Sequence, residues 1–282
     1  MVSRKPLEVR VMKKLVKFLL VTTTLSLPLG AVAAPWAIVA TQFNNTTECE
    51  EGLVDCRDGI YTIDLGYLQP KVYGPFLQDQ IDQENDPPTV PPSYSTRQVL
   101  DIAVRPWSKE VLVSLFYTKE ILRIDVGNPT SPKLTGRLKL EYETGLVDES
   151  EQPVIYSLFA EDISISPDGK TAVISDGGFS PYLAFIDLKR FKLTNIQKLE
   201  YDNLFIPGEK IEYYAQANAI APDNKTVLFV DYFGSAIYYG KLNQSRDALV
   251  GITRISSCSQ PDLSDPGNCL GLRGYSVFIY QT

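Results

Sequence analysis

The chain of 282 residues contains no histidine. That absence removes the Ser-His-Asp and Cys-His arrangements of nucleophilic catalysis, the histidine metal sites, and the commonest general base near neutral pH. Paired carboxylates and oxygen-ligand cation sites are the chemistry left open. Cysteine is scarce as well, with two local pairs, Cys49/Cys56 and Cys258/Cys269, and no CxxC. In an exported chain this spacing reads as two short disulfide-closed loops, whereas a metal centre needs thiolates converging from separate loops. There is no Gly/Ser linker and no low-complexity tract. The proline-rich DPPTVPPSY at 86–94 is the best candidate boundary, but similar segments lie on both sides of it, so a single domain is expected.

Long apolar runs are also lacking, except near the start. Arg4, Lys5, Arg10, Lys13, Lys14 and Lys17 precede FLLVTTTLSLPLGAVAA, which reaches the small-residue ending Ala31-Val32-Ala33. This is the form of a secretory signal peptide, and three Thr, a Ser and a Pro make the run a poor spanning helix. Cleavage after Ala33 is expected over Ala34, since Pro35 would follow the later cut. Residues 1–33 thus read as the signal and 34–282 as a secreted, periplasmic or cell-surface domain with no further span. Losing six basic and one acidic side chains leaves 21 basic and 33 acidic ones, a net charge of −12. Such a surface repels nucleic acid and anionic lipid, so no nucleic-acid role is expected.

What is present in abundance is repetition. DIAVRPWSKEVLVSLFYTKEILRID (101–125), DISISPDGKTAVISDGGFSPYLAFID (162–187) and ANAIAPDNKTVLFVDYFGSAIYYG (217–240) share one plan: short strand, proline turn, strand, loop, strand. Their turn prolines, Pro106, Pro167 and Pro222, lie 61 and 55 residues apart. A fourth strand follows each, as KLTGRLKLEY (133–142), FKLTNIQKLEY (191–201) and LVGITRIS (249–256). An incomplete copy opens the mature chain, with WAIVATQFNN as second strand, GIYTIDL as third and KVYGPFL as fourth. Four short antiparallel strands per unit describe the blade of a β-propeller. The expected blades are about 36–80, 98–142, 160–201 and 215–256, with a terminal strand at 275–282. Four to five blades leave two readings open: an incomplete part of a larger propeller, or a small ring closed by the last strand. Ala103, Ser164 and Ala219 form a column of small residues, suited to innermost strands where blades converge.

The rows resemble the YVTN-type, lactonase-like and surface-layer propeller repeats. The resemblance rests on Ser166-Pro167-Asp168-Gly169-Lys170, Ile186-Asp187-Leu188 and Ala221-Pro222-Asp223-Asn224-Lys225, and is strong over 160–245. Pro106-Trp107-Ser108-Lys109 departs from it. It implies a propeller fold and an exported protein, and it carries no catalytic residue onto this chain.

In a propeller, the segment entering the first strand and the loop between the second and third strands open on one face. That places Asp101, Glu161, Asp162, Asp176 and Asp231 around the channel mouth, with Gln216 at an entering position. Asp162 and Asp176 are the candidate calcium ligands, and calcium is the one cofactor weighed. Repetition of a common turn former gives the same pattern with no ligand at all. Phe116, Tyr117, Phe179, Tyr182, Tyr232 and Phe233 fall in the same loops, of which Tyr182 and Tyr232 are taken as ligand-facing. Three functions follow as expectations. One is a non-catalytic binding module for protein or carbohydrate, one a metal-assisted hydrolase or lactonase-like enzyme, and one a self-assembling surface component.

Overall fold

The alternation that marks strands in the sequence becomes nineteen strands in the computed structural model, which describes residues 36–41, 59–77, 99–116, 118–177, 180–202, 210–212, 214–231 and 237–255. Several expectations therefore fall on residues outside that set. Cys49 and Cys56, Cys258 and Cys269, and with them the two expected disulfide loops, lie outside the described residues. The signal segment, the ligand-facing candidate Tyr232 and the 275–282 strand also lie outside the described residues.

The strands are β1 (Trp36–Thr41), β2 (Gly59–Asp64), β3 (Lys71–Phe76), β4 (Val99–Val104), β5 (Glu110–Leu115), β6 (Glu120–Asp125) and β7 (Lys133–Lys139). There follow β8 (Glu141–Val147), β9 (Pro153–Ser157), β10 (Ala160–Ile165), β11 (Thr171–Asp176), β12 (Tyr182–Asp187) and β13 (Lys192–Lys198). The last are β14 (Glu200–Asp202), β15 (Lys210–Glu212), β16 (Ala215–Ile220), β17 (Thr226–Asp231), β18 (Ile237–Leu242) and β19 (Leu249–Ile255).

Three sheets are four-stranded antiparallel meanders, β4–β7, β10–β13 and β16–β19, and β1–β3 form a three-stranded one. Burial follows position in the meander. β11 is buried along its whole length, whereas β13 alternates between exposed and covered residues. A strand between two neighbouring sheets meets side chains on both faces, while an outermost strand keeps one face in water. The inner strands β4, β10 and β16 run side by side, and the sheets stack face to face. Val173, Leu183 and Phe185 of one sheet pack with Val227, Phe229 and Tyr238 of the next. Leu112 and Ile121 meet Ile163, Ile174 and Ile186, and Ile60 meets Val111, Val113 and Leu122. Each fully buried side chain of this size contributes ~1.5–3 kcal/mol, so the core lies between blades rather than within them. This is a β-propeller, with four blades among the described residues.

The first blade holds strands two to four, as the sequence implies. Asp125 and Asp187 end third strands by accepting the N–H two residues on, at 2.7 and 2.9 Å, and Asp64 does the same at 2.9 Å. Trp36 opposes Asp64 as Glu110 opposes Asp125 and Thr171 opposes Asp187. The expected fourth strands over 133–142 and 191–201 are shorter than the sequence suggests. Each breaks at a fully buried leucine, Leu140 or Leu199, after which the chain enters a separate hairpin, β8–β9 or β14–β15.

The four-residue turns between first and second strands close the opposite face. Gly169 and Asn224 take the positive φ they need, 68° and 59°. In the departing turn the positive φ of 61° moves to Trp107, whose indole N–H donates to the Pro167 carbonyl of the next blade at 3.0 Å. Asn224 likewise accepts the Asp168 N–H at 2.7 Å, and Arg246 grips the Asp168 carboxylate at 2.8 and 3.1 Å.

Candidate functional site at the channel mouth

Each inner strand carries one extra residue against its partner. Val99 opposes Leu115 but Ile102 opposes Val113; Ala160 opposes Asp176 but Ile163 opposes Ile174; Ala215 opposes Asp231 but Ala217 opposes Val230. Such a bulge re-aims a side chain, and in β4 and β10 it aims an aspartate at the next blade, whereas β16 has Gln216 at its bulge. Asp101 Oδ2 accepts the Ile163 N–H at 2.8 Å. Asp162 Oδ2 accepts the Asn218 N–H at 2.8 Å and the Asn218 Nδ2 at 3.0 Å. A serine opposite each of the β4 and β10 bulges adds a second tie. Ser175 donates to the Gln216 carbonyl at 2.9 Å, and Ser114 lies 3.4 Å from the Glu161 carbonyl. The fourth blade has Ala217 and Val230 in these two places, so it lacks both ties.

Asp176 and Asp231 end second strands and are buried. Asp176 accepts the Phe159 N–H at 3.0 Å and the hydroxyls of Tyr156 and Ser180. Asp231 accepts the Tyr214 N–H at 3.1 Å. Both hold the chain just before it enters an inner strand. Four of the five expected acids therefore bond groups of the fold itself. Asp162 and Asp176 take different protein donors, and among the described residues no group of three or more His, Cys, Asp or Glu is placed to hold a metal. Calcium takes six to eight oxygens, so the described residues do not fit it.

Glu161 is the least tied, with one long side-chain hydrogen bond. It stands half-buried with Oε1 3.5 Å from Gln216 Nε2, beside Phe116 and the backbone of Gly177. A Cβ on Gly177 would lie 2.6 Å from Glu161 Oε2 and 2.8 Å from Phe116, so only glycine permits this close approach. Phe116 packs on Phe159 at 5.0 Å, and Lys119 Nζ sits 4.4 Å from the Phe159 ring centre. Tyr182 packs on Tyr156 at 4.5 Å. An acidic and aromatic surface is thus assembled across blades two to four.

The acids also repel one another. Burial, then the neighbouring Asp101 and Glu161, push Asp162 up to about 8. Burial raises Asp101 and Glu161 too, and burial with the Asp176 hydrogen bond raises the Tyr156 phenol. One proton is therefore held in the Asp101–Asp162 neighbourhood near neutral pH. Ser114, Ser175, Ser180 and Asn218 are missed by sequence reasoning. The two bulge serines have a visible signal, the same place in two repeats, whereas nothing local marks Asn218 as a partner of Asp162.

No protein-family model matches this chain, and no curated protein matches it. Among solved structures it is similar to the hydrazine synthase of Kuenenia stuttgartiensis, with a TM-score of 0.36 and 16% identity over 52% of this chain and 33% of that one. It is also similar to the β-propeller domain of Cps50 (Swd1) from Myceliophteria thermophila, with a TM-score of 0.39 and 8% identity over 70% of this chain and 52% of that one. The chain thus spans a third and about half of those two structures. The fold rests on the strand topology above, not on either likeness.

Proposed function

We propose that this chain is an exported, non-catalytic β-propeller module that binds protein or carbohydrate through the acidic and aromatic surface at the channel mouth. The division of labour among the acids carries this reading. Asp101, Asp162, Asp176 and Asp231 hold blades and entering segments together, while Glu161 remains half-buried between Gln216 and Phe116. A carboxylate already bonded to a backbone N–H of the next blade is poorly placed to attack a substrate or take its proton. Glu161, Gln216 and the surrounding rings are instead the mixture of polar and aromatic groups that recognition surfaces use. Export, and kinship with the YVTN-type propellers, rest on the signal-like segment and the Ser-Pro-Asp-Gly-Lys repeat. Closure of the Cys49/Cys56 and Cys258/Cys269 loops by disulfides belongs to the same reading, since export is what would expose them to oxidation.

A hydrolytic, lactonase-like reading draws on the closeness of Asp162 and Asp101, where burial and the neighbouring carboxylate raise the Asp162 carboxyl to about 8. Two experiments separate the readings. An oligosaccharide and secreted-protein array probed with the chain, and with its Glu161→Ala/Phe116→Ala variant at matched stability, should show binders that lose at least tenfold in affinity. If every binder keeps its affinity for the variant, the channel-mouth reading fails. Turnover on an ester and lactone panel that disappears with Asp162→Asn would favour the hydrolytic reading.

A further inference from the structure

The hairpin β8–β9 leaves the propeller between the second and third blades as an arm with two unlike faces. Directly opposed residues of an antiparallel pair share a face, and successive residues alternate. The register Glu141↔Ser157, Tyr142↔Tyr156, Glu143↔Ile155 and Val147↔Pro153 therefore puts the two tyrosines on one face. Glu141, Glu143, Pro153 and Ile155 share the other, and Val147 joins them through its partner Pro153, beyond an irregularity in the register after Glu143.

On the tyrosine face Tyr156 looks inward, packed on Tyr182 and bonded to Asp176, while Tyr142 is 39% exposed. The base of the arm is fixed, because Leu140 and Leu158 are fully buried, Leu158 N–H donates to the Leu140 carbonyl, and Leu140 N–H donates to that of Lys119. The tip is also ordered: Asp148 accepts the N–H groups of Ser150 and Gln152 at 2.8 and 3.0 Å. An arm hydrogen-bonded at base and tip thus presents an outer face on which Val147 is 65% and Ile155 55% exposed, with Leu146 66% exposed nearby.

Charge sharpens the picture. Residues 141–157 include Glu141, Glu143, Asp148, Glu149 and Glu151, and no Lys or Arg. Lys139 lies 3.8 Å from Glu141, with both side chains well exposed, so that pair neutralises little. Among the described residues no cation pairs with Glu143, Glu149 or Glu151. The neighbouring hairpin β14–β15 differs, since Glu200 and Glu212 flank Lys198 at 3.6 and 2.6 Å. Among the described residues, unneutralised acid and exposed aliphatic surface coincide on β8–β9.

We propose that the outer face of β8–β9 is a docking surface for a basic, apolar segment of another protein. Aliphatic side chains of that segment cover Val147 and Ile155, and its Lys or Arg side chains meet Glu143, Glu149 and Glu151. This surface is separate from the channel mouth and stands whether or not the mouth binds a ligand. Sugar is a poor fit, because no ring lies on this face, and anionic partners are repelled. A second copy meeting arm to arm would oppose acid to acid.

The test uses the full chain and a labelled twelve-residue peptide of alternating Lys and Val, with Lys→Glu and Val→Ser versions, followed by fluorescence anisotropy at physiological salt. The Lys/Val peptide should bind and the other two should not. A Val147→Ser/Ile155→Ser variant, and a Glu143→Gln/Glu149→Gln/Glu151→Gln variant, should each weaken binding at least tenfold with an unchanged melting curve. The control Asp125→Asn/Asp187→Asn/Asp223→Asn removes as much charge at the opposite end while keeping the turn acceptors, and should stay within twofold. Equal loss in the control, no loss in the serine variant, or a dimer that the arm variants dissolve, would each overturn the proposal.

Discussion

Asparagine and alanine at position 162 should have opposite consequences, because the Asp162 carboxylate is both a tie between blades and a retained proton. Its Oδ2 accepts two donors of Asn218, which is only 3% exposed, so water cannot replace the lost acceptor. Alanine removes that acceptor from both donors at roughly 1–3 kcal/mol each, for an expected loss of about 2–6 kcal/mol at any pH. Asparagine keeps an acceptor oxygen in place and removes the ionisation. The sign of the pH effect follows from the raised value of about 8. The folded chain holds a proton that the unfolded chain releases near pH ~4, so folding binds protons between those limits and stability falls as pH rises through the window. The limiting slope is ~1.4 kcal/mol per pH unit. Between pH 6 and 8 a partly solvated channel residue should deliver about 1–2 kcal/mol of it. Urea unfolding at pH 6, 7 and 8 measures this directly. Wild type should weaken towards pH 8, Asp162→Asn should lose most of that slope and match or exceed wild type at pH 8, and Asp162→Ala should be weaker throughout. A wild-type stability that is flat from pH 6 to 8, or an asparagine variant as weak as alanine, refutes the reasoning.

Two further outcomes are expected. Gly177→Ala places a methyl 2.6 Å from Glu161 Oε2, 2.8 Å from Phe116 and 2.9 Å from Glu161 Cβ, and should lower stability by ~1–3 kcal/mol in a calorimetric melt, since the Cβ cannot swing away with the carboxylate. Ser166 is fully buried, accepts the Thr171 and Lys170 N–H groups at 3.0 and 3.2 Å and donates to Asp168 at 2.7 Å. Ser166→Ala should therefore lose ~1–3 kcal/mol, read as a lower urea midpoint at unchanged slope.

The blades were legible because each one is a local object. Alternation, a proline turn at a steady spacing and an aspartate ending the third strand recur in DISISPDGKTAVISDGG and its counterparts, and strand order follows chain order in every sheet. The expected gathering of acids on one face was also within reach, because strand direction alone assigns loops to faces. Their roles were not. Asp162 and Asp176 look alike as loop acids, yet one ties its blade to Asn218, 56 residues on, and the other anchors Phe159. The hairpins after Leu140 and Leu199 were likewise hidden inside runs that read as single strands, because a buried leucine looks the same in a strand and at the corner where a strand ends.

Sequence alone determined the all-β plan, the order of strands within a blade and the turn chemistry, since these depend on residues a few positions apart. Tertiary structure decided which acids are tied up, which one is left open, and which hairpin presents bare charge. Those outcomes depend on what the next blade or the neighbouring strand offers. A carboxylate acquires its role from the N–H, hydroxyl or cation that reaches it in space, and its own place in the chain does not name that partner.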